Sequence, residues 1–172
     1  LSLRRQRQMG IRDSLNTAYA SSGISFLGNE AATLSDNSLA ASVLNTLDGH
    51  TSGSINASSV NTLTGAAADL NTSYASSGIA GLNNEAVTLT NTTLAASVLN
   101  SLDGNTSGII NAASINTLTG AAADLNTAYD SSGISGLGNE ATTLNDTSLV
   151  ASVLNTLNDN TSGVINLSLI HI

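Results

Sequence analysis

The stretch most suggestive of chemistry is Asp103-Gly-Asn-Thr-Ser-Gly108, in which Asp103, Asn105 and Ser107 present oxygen donors at alternate positions ahead of a glycine. That spacing matches the first half of an EF-hand calcium loop, where alternating oxygen ligands precede an obligatory glycine. The second half departs from it: the twelfth position, which should be a bidentate Glu, is Ser114. The equivalent stretch earlier in the chain begins at Asp48 and continues to His50, and the later one begins at Asn158. Asp48, Asp103, Asn105 and Ser107 are therefore the candidate metal ligands, with calcium as the candidate cofactor. The competing reading is that Asp-Gly closes a helix and turns the chain.

Other chemistry is sparse. Of the two histidines, His171 lies near the C-terminus, and His50 is replaced by Asn105 and Asn160 at equivalent positions, which suits a solvated turn residue. Serines are abundant, but no Ser-His-Asp set recurs, cysteine and lysine are missing as nucleophiles, and no glycine-rich phosphate loop follows a strand. The chain is expected not to be an enzyme. Its basic residues, Arg4, Arg5, Arg7 and Arg12, all sit in the opening arm, so residues 15–166 hold eleven of the twelve acids and no Lys or Arg. Such a surface repels phosphate backbones, which argues against nucleic-acid partners. No apolar run reaches the roughly 18 residues of a membrane helix, so no membrane span is expected.

The elements that must position these residues are written as a repeat. Leu15-Asn-Thr-Ala-Tyr returns at Leu70 and Leu125, two steps of 55 residues, and Tyr19, Tyr74, Tyr129 and Glu30, Glu85, Glu140 keep the same step. Three units are present, the last incomplete. Inside each lies a half-repeat: Leu-Asn-Thr/Ser begins at residues 15, 44, 70, 99, 125 and 154, in alternating steps of 29 and 26. A Ser/Thr-Ser-Gly follows each, ending at Gly23, Gly53, Gly78, Gly108, Gly133 and Gly163.

Each module reads as a short strand and a short helix. Leu94, Val98 and Leu102 fall on one helical face, with Thr92 or Thr93 as N-cap and Gly104 as a left-handed stop; Ala67, Leu70 and Tyr74 form the matching stripe behind Thr64. The runs from Glu85 and from Ser114 alternate or are β-branched, as strands require. The expected fold is an α/β repeat solenoid of alternating parallel strands and helices, each 55-residue unit made of two β-α coils. Asn16, Asn45, Asn71, Asn100, Asn126 and Asn155 then either stack as a column, each bonding the next coil's backbone, or face water from helix surfaces. The Glu column, two coils apart at about 9 to 10 Å, needs no counter-ion. Threonine rows such as Thr88 and Thr90 hint at ice-binding solenoids, but the pattern is irregular.

The units "LAASVLNTLDG" and "NTLTGAAADLNTAY" resemble the tandem repeats of very large bacterial surface proteins, cyanobacterial ones included, of the adhesin-like, β-strand repeat-containing kind. The resemblance covers residues 15–166. It implies an extracellular or cell-surface location and a structural role, as spacer, stalk or adhesive surface, with adjacent repeats of a parent protein and cell-surface or matrix ligands as partners. A calcium-stiffened module is the alternative. Agreement with the repeat starts abruptly at Leu15 and stops after Asn166, and "MGIRDS" and "LSLIHI" resemble translated sequencing-adapter read-through. Residues 1–14 and 167–172 are thus expected to be non-native tails, and a fragment without end caps is expected to self-associate.

Overall fold

The computed structural model describes residues 12–24 and 27–167. Residues 1–11 of the opening arm, residues 168–172 and His171 among them lie outside that set; Arg12–Ser14 form the first turn of helix α1 (Arg12–Tyr19). The chain is α/β, with parallel strands alternating with short helices along the sequence. After α1 come β1 (Ala32–Thr33), β2 (Ser38–Ala40), α2 (Ala41–His50), β3 (Ile55–Asn56), β4 (Thr62–Gly65) and α3 (Ala67–Ala75). The next unit repeats them as β5 (Ile79–Ala80), β6 (Ala86–Leu89), β7 (Thr93–Ala95), α4 (Ala96–Asp103), β8 (Ile110–Asn111), β9 (Thr117–Gly120) and α5 (Ala122–Asp130). The described chain ends with β10 (Ile134–Ser135), β11 (Ala141–Leu144), α6 (Ala151–Asn160) and β12 (Ile165–Leu167).

All the strand pairs are parallel, and their register shows the coil length. Leu39 pairs with Leu63, Leu63 with Val87, Val87 with Ile110 and Ile110 with Ile134, steps of 24, 24, 23 and 24 residues. A second ladder runs Leu94, Leu118, Thr142, Ile165 with the same spacing. The helices keep the alternating 26- and 29-residue steps of the Leu-Asn-Thr motifs, whereas the paired strands step by 23 or 24. Two 24-residue turns fall seven short of the 55-residue unit, and those seven residues are one additional strand with its turn. Coils alternate: a short one has two strands and a helix (β3, β4, α3), and a long one has three (β5, β6, β7, α4).

The middle strand of the long coil, β6, is bonded on one edge to β4 and on the other to β8. The five-stranded ladder starts at β2, which runs straight into α2, and four strands later reaches β10, which follows α5. Strand ladders shift sideways while the helices stay stacked, each against the next. One face of every ladder points inward, and Leu39, Leu63, Val87, Ile110, Leu118 and Leu144 are sealed there with Leu44, Leu70, Leu99 and Leu125 of the helices. Alanine at the helix starts (Ala41, Ala67, Ala96, Ala122, all 0 % exposed) lets helices lie close to the sheet.

The expected helix caps are also corrected. Thr93 is a strand residue paired with Thr117, and Thr64 pairs with Thr88, so neither can sit at an N-cap. Strands run into helices without a loop, and the first residue's own side chain caps none of the helices α2 to α6. Instead the following long coil supplies the cap to the short-coil helices: Ala67 N–H donates to Asn91 Oδ1 and Ala122 N–H to Asp146 Oδ2, both at 2.8 Å. Gly104 is right-handed (φ −70°), not the left-handed stop; its N–H closes back onto Asn100 O. The left-handed region is used at Gly65 and Gly120, φ +154° and +145°, where β4 and β9 turn into their helices.

Candidate functional site

The polar residues that repeat converge on the seams between coils. The asparagine column forms there as one of its two expected readings: Asn16 Nδ2 donates to Val43 O, Asn45 to Asp69 O, Asn71 to Val98 O, Asn100 to Asp124 O and Asn126 to Val153 O. The bonds are 2.9 Å where a long-coil helix meets a short-coil one, and 3.2 to 3.4 Å in the opposite sense. Each ties one helix to the backbone of the next, so the column is a coil-to-coil ladder.

The oxygens of those asparagines are handled differently from unit to unit. Asn45 Oδ1 accepts from Ser73 Oγ at 2.6 Å, and Asn71 and Asn126 Oδ1 accept from Asn105 and Asn160 Nδ2. Asn100 Oδ1 is buried with no partner, because Ala128 stands where Ser73 does. His50 occupies the position of Asn105 and Asn160. It is half-buried at the end of α2, its ring stacked on Tyr19 with centroids 6.3 Å apart, and so it is a seam residue rather than the solvated turn residue expected.

The Ser/Thr-Ser-Gly motifs make the corners. Thr51 Oγ1 donates to Glu30 O and accepts from Gly53 N–H; Ser52 N–H donates to Gly28 O. Thr106, Ser107 and Gly108 repeat this against Asn83 and Glu85, and Thr161, Ser162 and Gly163 against Gly138 and Glu140. A Cβ on Gly53, Gly108 or Gly163 would overlap the carbonyl of Glu30, Glu85 or Glu140, so close approach of two backbones imposes glycine there.

The glutamates at these corners turn inward. Glu85 and Glu140 are 1 % and 2 % exposed. Asn83 N–H donates to both Glu85 carboxylate oxygens (2.9 and 3.0 Å) and the Tyr74 hydroxyl to Oε2 at 3.1 Å. Gly138 N–H and the Tyr129 hydroxyl donate to Glu140 Oε2 at 2.8 and 3.3 Å. These carboxylates are held by N–H and O–H donors within one corner, which is how a buried carboxylate is accommodated where the repeats carry no Lys or Arg. Burial, reinforced by the adjacent carboxylate charge and opposed by a bond from threonine, pushes the phenols of Tyr74 and Tyr129 up to about 12. A phenol held that far from neutrality is a structural donor. The Tyr-to-Glu offset of 11 residues, kept in all three units, was the signal in the sequence for this pair.

The four candidate metal ligands point to separate partners. Asp103 Oδ2 accepts from Ser131 Oγ and Asp48 Oδ2 from Ser76 Oγ, both at 2.7 Å, with Gly133 and Gly78 packed against the other carboxylate oxygen. Asn105 donates to Asn71, and Ser107 Oγ to Asn83 O at 3.2 Å. Among the described residues no three His, Cys, Asp or Glu side chains lie together as a metal site, and no helix is long and apolar enough to cross a membrane. What this arrangement does chemically is hold coils to one another. Comparison with family models, with curated proteins and with solved structures found no match to this chain.

Proposed function

We propose that this chain is a non-enzymatic structural repeat segment, a spacer or an adhesive surface, of a large secreted or cell-surface bacterial protein. The observation that carries the reading is the direction of the repeated polar bonds: the asparagine, threonine and aspartate columns each bond the adjacent coil and recur with the 55-residue step. Residues repeated in this way add length and stiffness one unit at a time, as in other quasi-one-dimensional proteins. The extracellular location rests on the likeness of the units to bacterial surface repeats.

A spacer makes a quantitative demand. Two coils per unit at a strand spacing of about 4.8 Å give about 10 Å of length per unit. Inserting a second copy of residues 70–124 after Asp124 should lengthen the particle by about 10 Å in small-angle X-ray scattering. It should also raise the midpoint of a single cooperative melt. An inserted unit that leaves the maximum dimension unchanged, or melts separately, would remove the spacer reading.

A further inference from the structure

Asparagine, serine and threonine are frequent in this chain, so Asn-X-Ser/Thr triplets, the acceptor pattern for N-linked sugars, begin at Asn56, Asn71, Asn91, Asn105, Asn145, Asn160 and Asn166. The fold treats them unequally. Asn71 Nδ2 donates to Val98 O, Asn105 Nδ2 to Asn71 Oδ1 and Asn160 Nδ2 to Asn126 Oδ1, so these three amide nitrogens are tied into the seams. Asn91 is half-buried with its Oδ1 on the Ala67 N–H. The third residue of the Asn166 triplet lies outside the described residues.

Asn56 is held differently. It is exposed on β3, and its Oδ1 accepts from Ser58 N–H at 3.0 Å in a turn closed by the side chain. Its Nδ2 and the exposed Ser58 hydroxyl have no hydrogen-bond partner among the described residues. Gly81 of the next coil, φ +89°, packs so closely on the Ser58 backbone that a Cβ would overlap it, which holds the turn in place. One unit on, Asn111 Oδ1 accepts from Ala113 N–H at 3.1 Å and Gly136 packs on Ala113, so the turn is the same and only the hydroxyl is missing. Asn145 is exposed too, but no bond joins it to Thr147, and its neighbour Asp146 is held on the Ala122 N–H.

We infer that Asn56 is a glycosylation site, its side-chain amide taking a sugar from a glycosyl diphosphate through a transferase that reads Asn-X-Ser/Thr. In the transfer the bond from Nδ2 to the anomeric carbon forms as the bond from that carbon to the diphosphate oxygen breaks. The diphosphate leaves with the electron pair, and the transferase takes one amide proton. The ladder neighbours of Asn56 are Thr33 and Ala80, whose small side chains leave room for a sugar. This goes beyond the spacer reading, since it depends on one exposed turn and not on how the coils stack.

The test offers the folded full chain two sugar donors in separate arms: UDP-glucose with a soluble Asn-X-Ser/Thr-specific transferase, and a lipid-linked oligosaccharide diphosphate with a membrane oligosaccharyltransferase. Intact mass and peptide mapping should show one glycan per chain, on Asn56, in at least one arm, and the arm that labels identifies the donor. Ser58→Ala, which reproduces the Asn111 turn, should abolish the label; Ala113→Ser should add a second glycan on Asn111. A chain unlabelled at Asn56 in both arms, labelling of Asn71 or Asn160 in preference to Asn56, a label that survives Ser58→Ala, or an Asn111 left bare by Ala113→Ser would each overturn the inference. Circular dichroism checks that the variants fold, and Asn56→Gln supplies a second loss-of-label variant at the same exposed position.

Discussion

Thr142→Val should stabilise the protein. Thr142 is 0 % exposed on β11, pointing into the core ladder between Leu118 and Ile165, and its Oγ1 has no hydrogen-bond partner. The same position one unit earlier is Val87, sealed at 1 %. A buried hydroxyl without a partner costs about 1 to 3 kcal/mol of lost hydration, while a methyl in the same volume costs nothing comparable. Allowing for local relaxation, the gain is about 1 to 2 kcal/mol, which for a chain of this length corresponds to roughly 2 to 8 °C in Tm. The assay is a reversible thermal melt followed by circular dichroism, with urea unfolding as an independent measure. Two companions sharpen it: Val87→Thr should destabilise by a similar amount, and Thr142→Ser, which keeps the hydroxyl and deletes a methyl, should cost about 1 kcal/mol. A lowered midpoint for Thr142→Val would refute the reasoning, for it would mean that the hydroxyl is bonded, with the partnerless Glu140 Oε1 as the nearest acceptor in sequence.

Ala128→Ser should give the buried Asn100 Oδ1 the donor that Ser73 gives Asn45, adding about 0.5 to 1.5 kcal/mol by urea unfolding. Gly108→Ala places a Cβ on the Glu85 carbonyl and should cost about 1 to 3 kcal/mol, with a clear fall in melting midpoint. The phenols of Tyr74 and Tyr129 titrate near 12 when folded, against 10 for the unfolded chain. Their contribution to stability is complete below pH 10 and is lost as pH rises from 10 towards 12, because the unfolded chain releases protons that the folded one retains. Melts across that range should show a falling midpoint, and absorbance of the folded protein at pH 11 should show both phenols un-ionised. Calcium should leave the melt of the intact chain unchanged relative to EDTA, since Asp48 and Asp103 already accept serine hydroxyls at 2.7 Å. A site filled to 100 times its Kd would add about 2.7 kcal/mol, so an upward shift of several degrees would favour the calcium-binding alternative.

The 55-residue step, the division of each unit into two coils and the parallel strand-helix alternation were legible in the residues. Each depends on local periodicity: leucines three and four apart make a helical stripe, and Leu-Asn-Thr marks each helix at the same phase. The asparagine ladder was half legible, since equal phase on stacked helices puts side chains in a column, but phase alone does not say whether the column faces a neighbour or water. The strand count per coil was not legible. The additional strand of the long coil has the same Thr- and Ala-rich composition as its neighbours, and its pairing partners lie some 24 residues away, so only the assembled ladder separates a two-strand coil from a three-strand one. The caps were hidden for the same reason: Asn91 and Asp146 close helices that begin 24 residues earlier. Glu85 reads as a surface residue until the corner around Asn83, Tyr74 and Thr106 encloses it. Period is a property of neighbours along the chain, whereas burial and pairing belong to neighbours in space, and in this protein those are brought in by the adjacent coil.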